Sequence, residues 1–125
     1  MTRLHHIALG AGDVEKVAAF YREIFDLVEI TRHQDDGGHL RSIWLDLDGA
    51  ILMVERTSYE LPEPIPGVGT GPFLLAFEIS EAERSTMEAR LKEAGHPIED
   101  RTGFTSYARD PEGNGVAISF YKPQC

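Results

Sequence analysis

The sequence predicts an α+β fold built from two βαβββ modules, and three observations support it. Residues 46–55 and 110–119 follow one template 64 positions apart, in which a strand ends in Asp, turns through an acidic residue and Gly, and enters another strand. Residues 4–10 and 73–80 are both strand-like and are both followed by a helical pattern. Apolar residues alternate with other residues in these strands, which is typical of sheets with one buried face.

The first module begins with a strand at about residues 4–10. Asp13 is a good N-cap for the helix that follows, since its carboxylate can accept from free amides of the first turn. Apolar residues at helical spacing continue to about Phe25, and Asp26 is expected to end the helix. Strands are then predicted at about residues 28–33, 40–47 and 50–56, and the Asp35–Gly38 segment predicts a turn between the first two.

The second module repeats this order after a connector. Residues 61–72 contain four prolines and three glycines, which predicts an irregular segment. A strand at 73–80 and a helix at 81–94 follow, and Gly95 is expected at the C′ position of the helix. Three further strands are predicted at about residues 97–101, 104–110 and 115–122. The chain is therefore expected to be a single domain over 1–125, with module one at about 1–60 and module two at 73–125.

Composition limits the classes of function. The chain has 125 residues, of which 42% are hydrophobic and 26% charged, and these values are ordinary for a globular protein. Its net charge of −9 argues against nucleic acid or an anionic membrane as a partner. The amino terminus lacks the apolar stretch of a signal peptide. The single cysteine, Cys125, excludes an intrachain disulfide, and we expect a cytoplasmic protein.

Strand alternation predicts which side chains face away from the helices. The positions expected to pack against the helices are apolar in four strands, which makes a general register slip improbable. The opposite face of each sheet is then predicted to line a cavity. The candidate ligand-binding residues on it are His6, Trp44, Met53, Glu55, Leu74, Ala117 and Ser119.

The sequence resembles the vicinal oxygen chelate superfamily, which includes glyoxalase I, bleomycin-resistance proteins, fosfomycin-resistance proteins and extradiol dioxygenases. The resemblance rests on His6-Ile-Ala-Leu followed by Asp13, on Ala19-Phe20-Tyr21, and on the segment Arg109-Asp110-Pro111-Glu112-Gly113-Asn114. It implies paired βαβββ modules that form a U-shaped sheet around a cavity, usually in a homodimer. In members that hold a divalent metal, the ligands come from the first and fourth strands of each module.

The metal-ligand positions implied by the resemblance are mostly apolar in this chain. His6 occupies the first position, whereas Met53, Leu74 and Ala117 occupy the other three. Zinc needs at least three side-chain ligands, and cations that prefer oxygen need more, so one imidazole is insufficient. We therefore expect no metal cofactor. A relocated divalent site using His6 and Glu55, completed by water or substrate, is the alternative.

Several residues have both a functional and a structural interpretation. His6 is a candidate general base, although no acidic residue can be assigned to orient it. Its neighbour His5 is expected to face the opposite side of the strand. Trp44 suits stacking on a planar or cationic ligand, and it equally suits core or interface packing. For Glu55, a solvent-exposed position at the rim of the cavity is the preferred interpretation.

Three functions follow from these observations. The first is a small-molecule binding protein of the glyoxalase and bleomycin-resistance type, without a working metal site, that sequesters its ligand or acts on it without metal. The second is a metal-dependent lyase, isomerase or dioxygenase resembling glyoxalase I, with a relocated site. The third is a dimerising module whose cavity is vestigial. The sequence ranks them in this order and leaves open whether the chain is an enzyme.

Overall fold

The structure is a computed structural model that describes residues 2–57 and 74–122. These two stretches belong to separate compact units. Each unit contains one four-stranded sheet and one α-helix, in the order β, α, β, β, β. The predicted α+β fold with two βαβββ modules is confirmed. The predicted connector and Cys125 lie outside the described residues. No described helix has the length and hydropathy needed to cross a membrane.

The first unit forms a mixed sheet, called sheet one. Its strand order is β1-β4-β3-β2, with β1 parallel to β4 and the other neighbours antiparallel. The helix α1 packs across β3 and β4. The elements are β1 (His6–Ala11), α1 (Val14–Phe25), β2 (Glu29–Gln34), β3 (Leu40–Asp46) and β4 (Ile51–Arg56).

Helix α1 begins and ends as predicted. The Asp13 carboxylate accepts a hydrogen bond from the Lys16 amide at 3.1 Å, which satisfies one of the free N–H groups of the first turn. Asp26 takes the left-handed conformation, with a φ of 57°, and ends the helix. The side of α1 that carries Val17, Ala18 and Tyr21 is completely buried.

The second unit forms the equivalent sheet two, with strand order β5-β8-β7-β6 and β5 parallel to β8. Its elements are β5 (Leu74–Glu78), a 3₁₀ turn (Glu81–Glu83), α2 (Arg84–Glu93), β6 (Asp100–Arg101), β7 (Thr105–Arg109) and β8 (Gly115–Ser119). Gly95 has a φ of 89°, and the amides of Gly95 and His96 donate to the carbonyls of Lys92 and Leu91. These two hydrogen bonds form the Schellman motif, so Gly95 is the C′ residue of the helix, as predicted.

Strand register shows that the two modules are equivalent. His6 pairs with Ile51 in sheet one, and Leu74 pairs with Gly115 at the same place in sheet two. Met53 and Ala117 each follow two residues later on the last strand of their module. The first and last strands of each module are therefore neighbours.

The two turns of the repeated template contain the same hydrogen bond, from a backbone amide to the Asp carboxylate two residues earlier. The Asp46 carboxylate accepts the amide of Asp48, and the Asp110 carboxylate accepts the amide of Glu112, both at 2.9 Å. Asp48 and Gly49 both have positive φ, so the first turn is the tight kind that suits a hairpin. The second turn is longer, because the Asp110 amide donates to the carbonyl of Asn114.

Three predicted elements differ from the structure. The predicted 81–94 helix starts with a 3₁₀ turn, because the Glu83 carboxylate accepts the Ser80 amide in a capping box. The predicted 97–101 strand is reduced to Asp100–Arg101; it begins with a proline, which has no N–H to donate. The last strand ends at Ser119, three residues earlier than predicted.

Candidate functional site

Trp44 lies at the centre of the sheet-one face that is turned away from α1, called here the open face. Met53 lies directly opposite Trp44 on β4, and Ala8 lies opposite Met53 on β1. Their neighbours along the strands, Ile43, Leu45, Leu52 and Val54, are completely buried in the core. Trp44 and Met53 are only half-buried. The alternation therefore places Trp44 and Met53 side by side on the open face.

The indole of Trp44 has an unused polar group. Its Nε1 is buried and has no hydrogen-bond acceptor among the described residues. A buried N–H without a partner costs about 1–3 kcal/mol, and buried indole N–H groups usually find an acceptor. Among the described residues, the indole N–H of Trp44 therefore lacks the acceptor that a buried indole usually has.

His33 contacts Trp44, although the sequence pattern did not predict it as a site residue. The two rings meet edge to face, with centroids 5.1 Å apart. His33 lies on β2 opposite Ser42, and Thr31 lies opposite Trp44. The alternation of side chains between the two faces, extended from β3 into β2, could have predicted that His33 lies on the open face. The register of β2 shifts on both sides of this segment, which obscures that signal in the sequence.

His6 and Glu55 lie on the open face but on opposite sides of the Met53–Trp44 row. His6 pairs with Ile51, and Glu55 pairs with Gly10 and Ser42. Ile51 and Glu55 are four positions apart on β4, so His6 and Glu55 lie about 13 Å apart along the strand direction. Glu55 is instead 3.7 Å from the Arg41 guanidinium. The structure does not bring His6 and Glu55 together as a ligand pair.

His5 contacts His6, contrary to the prediction that it faces the other side. The two Nδ1 atoms are 2.9 Å apart, and the rings meet at 84°. Strand β1 begins at His6, so the alternation on which the prediction rested does not extend to His5. Both side chains are exposed. His5 is therefore a candidate hydrogen-bond partner for His6.

A cavity of about 350 Å³ lies beside this histidine pair. Arg3 and Asp46 are the charged side chains among its lining residues, and His5 is its imidazole. The full lining is Arg3, Leu4, His5, Asp46, Gly49, Ala50 and Ile51. Positive, negative and apolar groups thus meet around one space in the first unit.

The other predicted site residues lie in the second unit. Leu74 is half-buried, and Ala117 is 2% exposed and pairs with Ala76 and Tyr107. The Ser119 hydroxyl is 2.8 Å from the hydroxyl of Thr105 and also accepts the amide of Tyr121. That these three residues share a pocket with His6 and Trp44 stays a prediction.

Two carboxyl groups of the first unit have pKa values altered by ion pairs. The hydrogen bond from Arg56 and the amides of His39 and Gly37 lower the pKa of Asp35 to about 2. A hydrogen bond from Arg32 lowers the pKa of Glu29. Asp35 organises the turn between β2 and β3, and Glu29 belongs to an ion-pair cluster that links β2 to α1.

The described residues do not fit a protein-held metal ion. They contain no group of three or more His, Cys, Asp or Glu side chains close enough to share one. Of the four ligand positions that the family resemblance implies, only His6 has a donor atom that binds metals well.

The family of the chain follows from its sequence pattern and its fold. Residues 3–118 match the pattern of the Glyoxalase/Bleomycin resistance protein/Dioxygenase superfamily. The chain belongs to this superfamily, as the resemblance indicated. A comparison with curated proteins found no match.

Solved structures show the same fold at low sequence identity. A mutant of a fosfomycin resistance protein, FosX, from Listeria monocytogenes, in complex with Mn(II) and 1S,2S-dihydroxypropylphosphonic acid, has a TM-score of 0.80 and 23% identity over 98% of this chain and 94% of that one. A possible glyoxalase from Bacillus cereus has a TM-score of 0.72 and 24% identity over 93% and 96%. A lactoylglutathione lyase from Agrobacterium tumefaciens has a TM-score of 0.69 and 23% identity over 95% and 93%.

Proposed function

We propose that this chain binds a small organic molecule on the open face of sheet one without a protein-held metal ion. The observation that carries the proposal is the row formed by Trp44, Met53 and Ala8, which offers an apolar and aromatic surface at the centre of this face. Met53 stands at a position where the family resemblance implies a metal-binding residue, often a carboxylate, and supplies a thioether instead. Sequestration of the ligand, or chemistry that needs no metal, follows from this arrangement.

The surface favours a flat ligand, including a cationic one. An indole face attracts planar rings and cations, and such contacts contribute about 0.5–2 kcal/mol. Glu55 lies on the same face, two residues after Met53 on β4. The net charge of −9 favours cations at longer range. His6 flanks the other side of the row and can donate or accept a hydrogen bond.

The metalloenzyme alternative is weaker for this chain. FosX from Listeria monocytogenes holds Mn(II) in its crystal structure, so a metal is plausible for this fold. The separation of His6 from Glu55 disfavours the relocated site in the first unit. A vestigial module that only dimerises ranks third. We also propose that the chain is a cytoplasmic homodimer, with neither nucleic acid nor membrane as a partner.

Trp44 is the only tryptophan of the chain, so its fluorescence reports directly on the proposed site. We expect a panel of planar aromatic cations and uncharged analogues of the same size to include a compound that quenches this fluorescence saturably in the presence of EDTA. Trp44→Ala is expected to weaken that compound's binding at least about tenfold in calorimetry, because the stacking surface is lost. Trp44→Phe is expected to retain most of the affinity.

Val28→Ala is the matched control, because Val28 is 68% exposed and precedes β2. It removes exposed apolar surface from the same unit and is expected to leave the affinity unchanged. Binding that persists in Trp44→Ala, or that requires added Mn²⁺, contradicts the proposed function.

A further inference from the structure

We propose that the ligand of the open face carries a neutral hydrogen-bond acceptor on a short side arm, and that Trp44 Nε1 donates to this acceptor once the ring of His33 has moved aside. For the aromatic part of the ligand, this rests on the proposed function. The new part is the chemical class of the arm, which bears a carbonyl oxygen such as that of a ketone or an amide.

The indole N–H of Trp44 is the group that calls for an acceptor. Nε1 is buried and has no hydrogen-bond partner among the described residues. An indole N–H can only donate, and the large majority of buried polar side-chain atoms in proteins have a partner. A ligand oxygen would gain this hydrogen bond without displacing an existing one within the chain. The gain on binding is therefore larger than for a donor that is already paired.

The direction of the N–H bond decides where the acceptor belongs in the ligand. A ring stacked on the indole lies about 3.5 Å above the indole plane. The acceptor of the N–H lies close to that plane, about 2.9 Å beyond Nε1. An atom of the stacked ring itself cannot occupy this place. A short flexible arm can bring an oxygen from the ring down to the edge of the indole.

The charges of the open face favour a neutral acceptor over a carboxylate. Glu55 lies on the same face, two residues after Met53, and the net charge of the chain is −9. Both oppose a negative charge on the ligand. A carbonyl oxygen accepts a hydrogen bond without carrying a charge, so it is the acceptor that suits this face.

His33 is the side chain whose movement gives the acceptor access to the N–H. Because Nε1 is buried, a ligand atom reaches it only after a neighbouring group has moved. The His33 ring meets the indole edge to face, with centroids 5.1 Å apart, and His33 is exposed. Exposed side chains change rotamer freely. Thr31 and Met53, which lie opposite Trp44 on the adjoining strands, are half-buried and less free to move.

Nuclear magnetic resonance of the free protein tests the N–H before any ligand is added. Trp44 is the only tryptophan, so the spectrum contains one indole N–H signal. We expect its proton to exchange with water at least about tenfold more slowly than in the urea-unfolded protein, because the nitrogen is buried. Exchange as fast as in the unfolded protein would mean that water already reaches Nε1, and it would overturn the proposal.

His33→Ala tests the side chain that covers the N–H. We expect faster exchange of the indole proton in this variant, because the ring against the indole is removed. His39→Ala is the matched control, since the His39 side chain is 77% exposed and directly precedes β3 in the same hairpin. It is expected to leave the exchange rate unchanged. An unchanged rate in His33→Ala would overturn the movement of His33.

Two matched probes test the acceptor. Both are N-methylquinolinium ions; one carries a short ketone arm, and the other carries the same arm with the ketone oxygen replaced by a methylene group. We expect the ketone probe to bind at least about tenfold more tightly in calorimetry, because only its oxygen pairs the buried donor. We also expect it to move the indole N–H signal downfield. Equal affinities of the two probes for the wild-type protein would overturn the proposal.

Trp44→Phe separates the hydrogen bond from stacking, because phenylalanine keeps an aromatic face and has no N–H. In this variant we expect the two probes to bind equally, with an affinity close to that of the methylene probe for the wild-type protein. The affinity retained in Trp44→Phe is therefore that of ligands without the acceptor. A ketone preference that persists in Trp44→Phe would assign the acceptor to another donor and would overturn the proposal.

The outcomes also distinguish the acceptor arm from the proposed function. Binding that depends on Trp44, with equal affinities for the two probes, rejects the arm and leaves the proposed function standing. A saturable downfield shift of the indole N–H signal with N,N-dimethylacetamide, together with no binding of either aromatic probe, rejects the proposed function and leaves the acceptor site standing.

Discussion

Replacing Asp110 with alanine is expected to lower the free energy of unfolding by about 3 kcal/mol, since a buried network then loses its acceptor. Asp110 is 3% exposed, and its carboxylate accepts from the amides of Glu112 and Asn114 and from the Asn114 side chain. These groups keep their desolvation cost in the variant. Urea denaturation followed by circular dichroism measures the change.

Asp46→Ala is the matched control, because Asp46 holds the equivalent position of the first module. Asp46 is exposed, and its carboxylate accepts one amide hydrogen bond, from Asp48. We expect a loss of about 0.5–1 kcal/mol, in line with one exposed hydrogen bond. Equal losses in the two variants would contradict the account of the longer turn.

Leu52→Ala is expected to cost about 3 kcal/mol, within the range measured for buried leucines. Leu52 is completely buried on the side of β4 that faces α1, so its removal leaves a cavity in the core. Met53→Ala, one residue later, is expected to cost less than about 1 kcal/mol, because Met53 is half-buried on the open face. Thermal or urea unfolding of the two variants compares them directly.

This pair of variants tests the assignment of faces on which the site depends. Shifting β4 by one residue would exchange the roles of Leu52 and Met53. A loss in Met53→Ala that equals or exceeds the loss in Leu52→Ala would therefore invert the face and remove Met53 from the site.

Most of the fold was predictable from the repeated template in the sequence. Hydrophobic alternation located the buried sides of β3 and β4 because these strands are central in their sheet and have a helix on one side. Asp13, Asp26 and Gly95 were predictable because their local hydrogen-bonding and conformational preferences coincide with the ends of helices. The start of β6 was not, because this edge strand is shortened after a proline that has no N–H to donate. The end of β8 was not, because Ser119 is set by its pairing with Glu78 and Thr105 at the ends of the two neighbouring strands.

The candidate site was predictable only in part. Alternation placed Trp44, Met53, His6 and Glu55 on one face, and register then separated His6 from Glu55. Register depends on pairing between distant segments, so no local pattern reveals it. The contact between His5 and His6 depends on the residue at which β1 begins, and element boundaries are the least reliable part of a sequence-based prediction.

Metal analysis with ligand binding in the same preparation tests the central claim most directly. Protein purified without chelators or a histidine tag is analysed for manganese, iron, nickel and zinc, and probe binding is then measured through Trp44 fluorescence with and without EDTA. We predict well under one equivalent of tightly bound metal per chain and the same affinity in both buffers. Near-stoichiometric metal whose removal abolishes binding would contradict the claim.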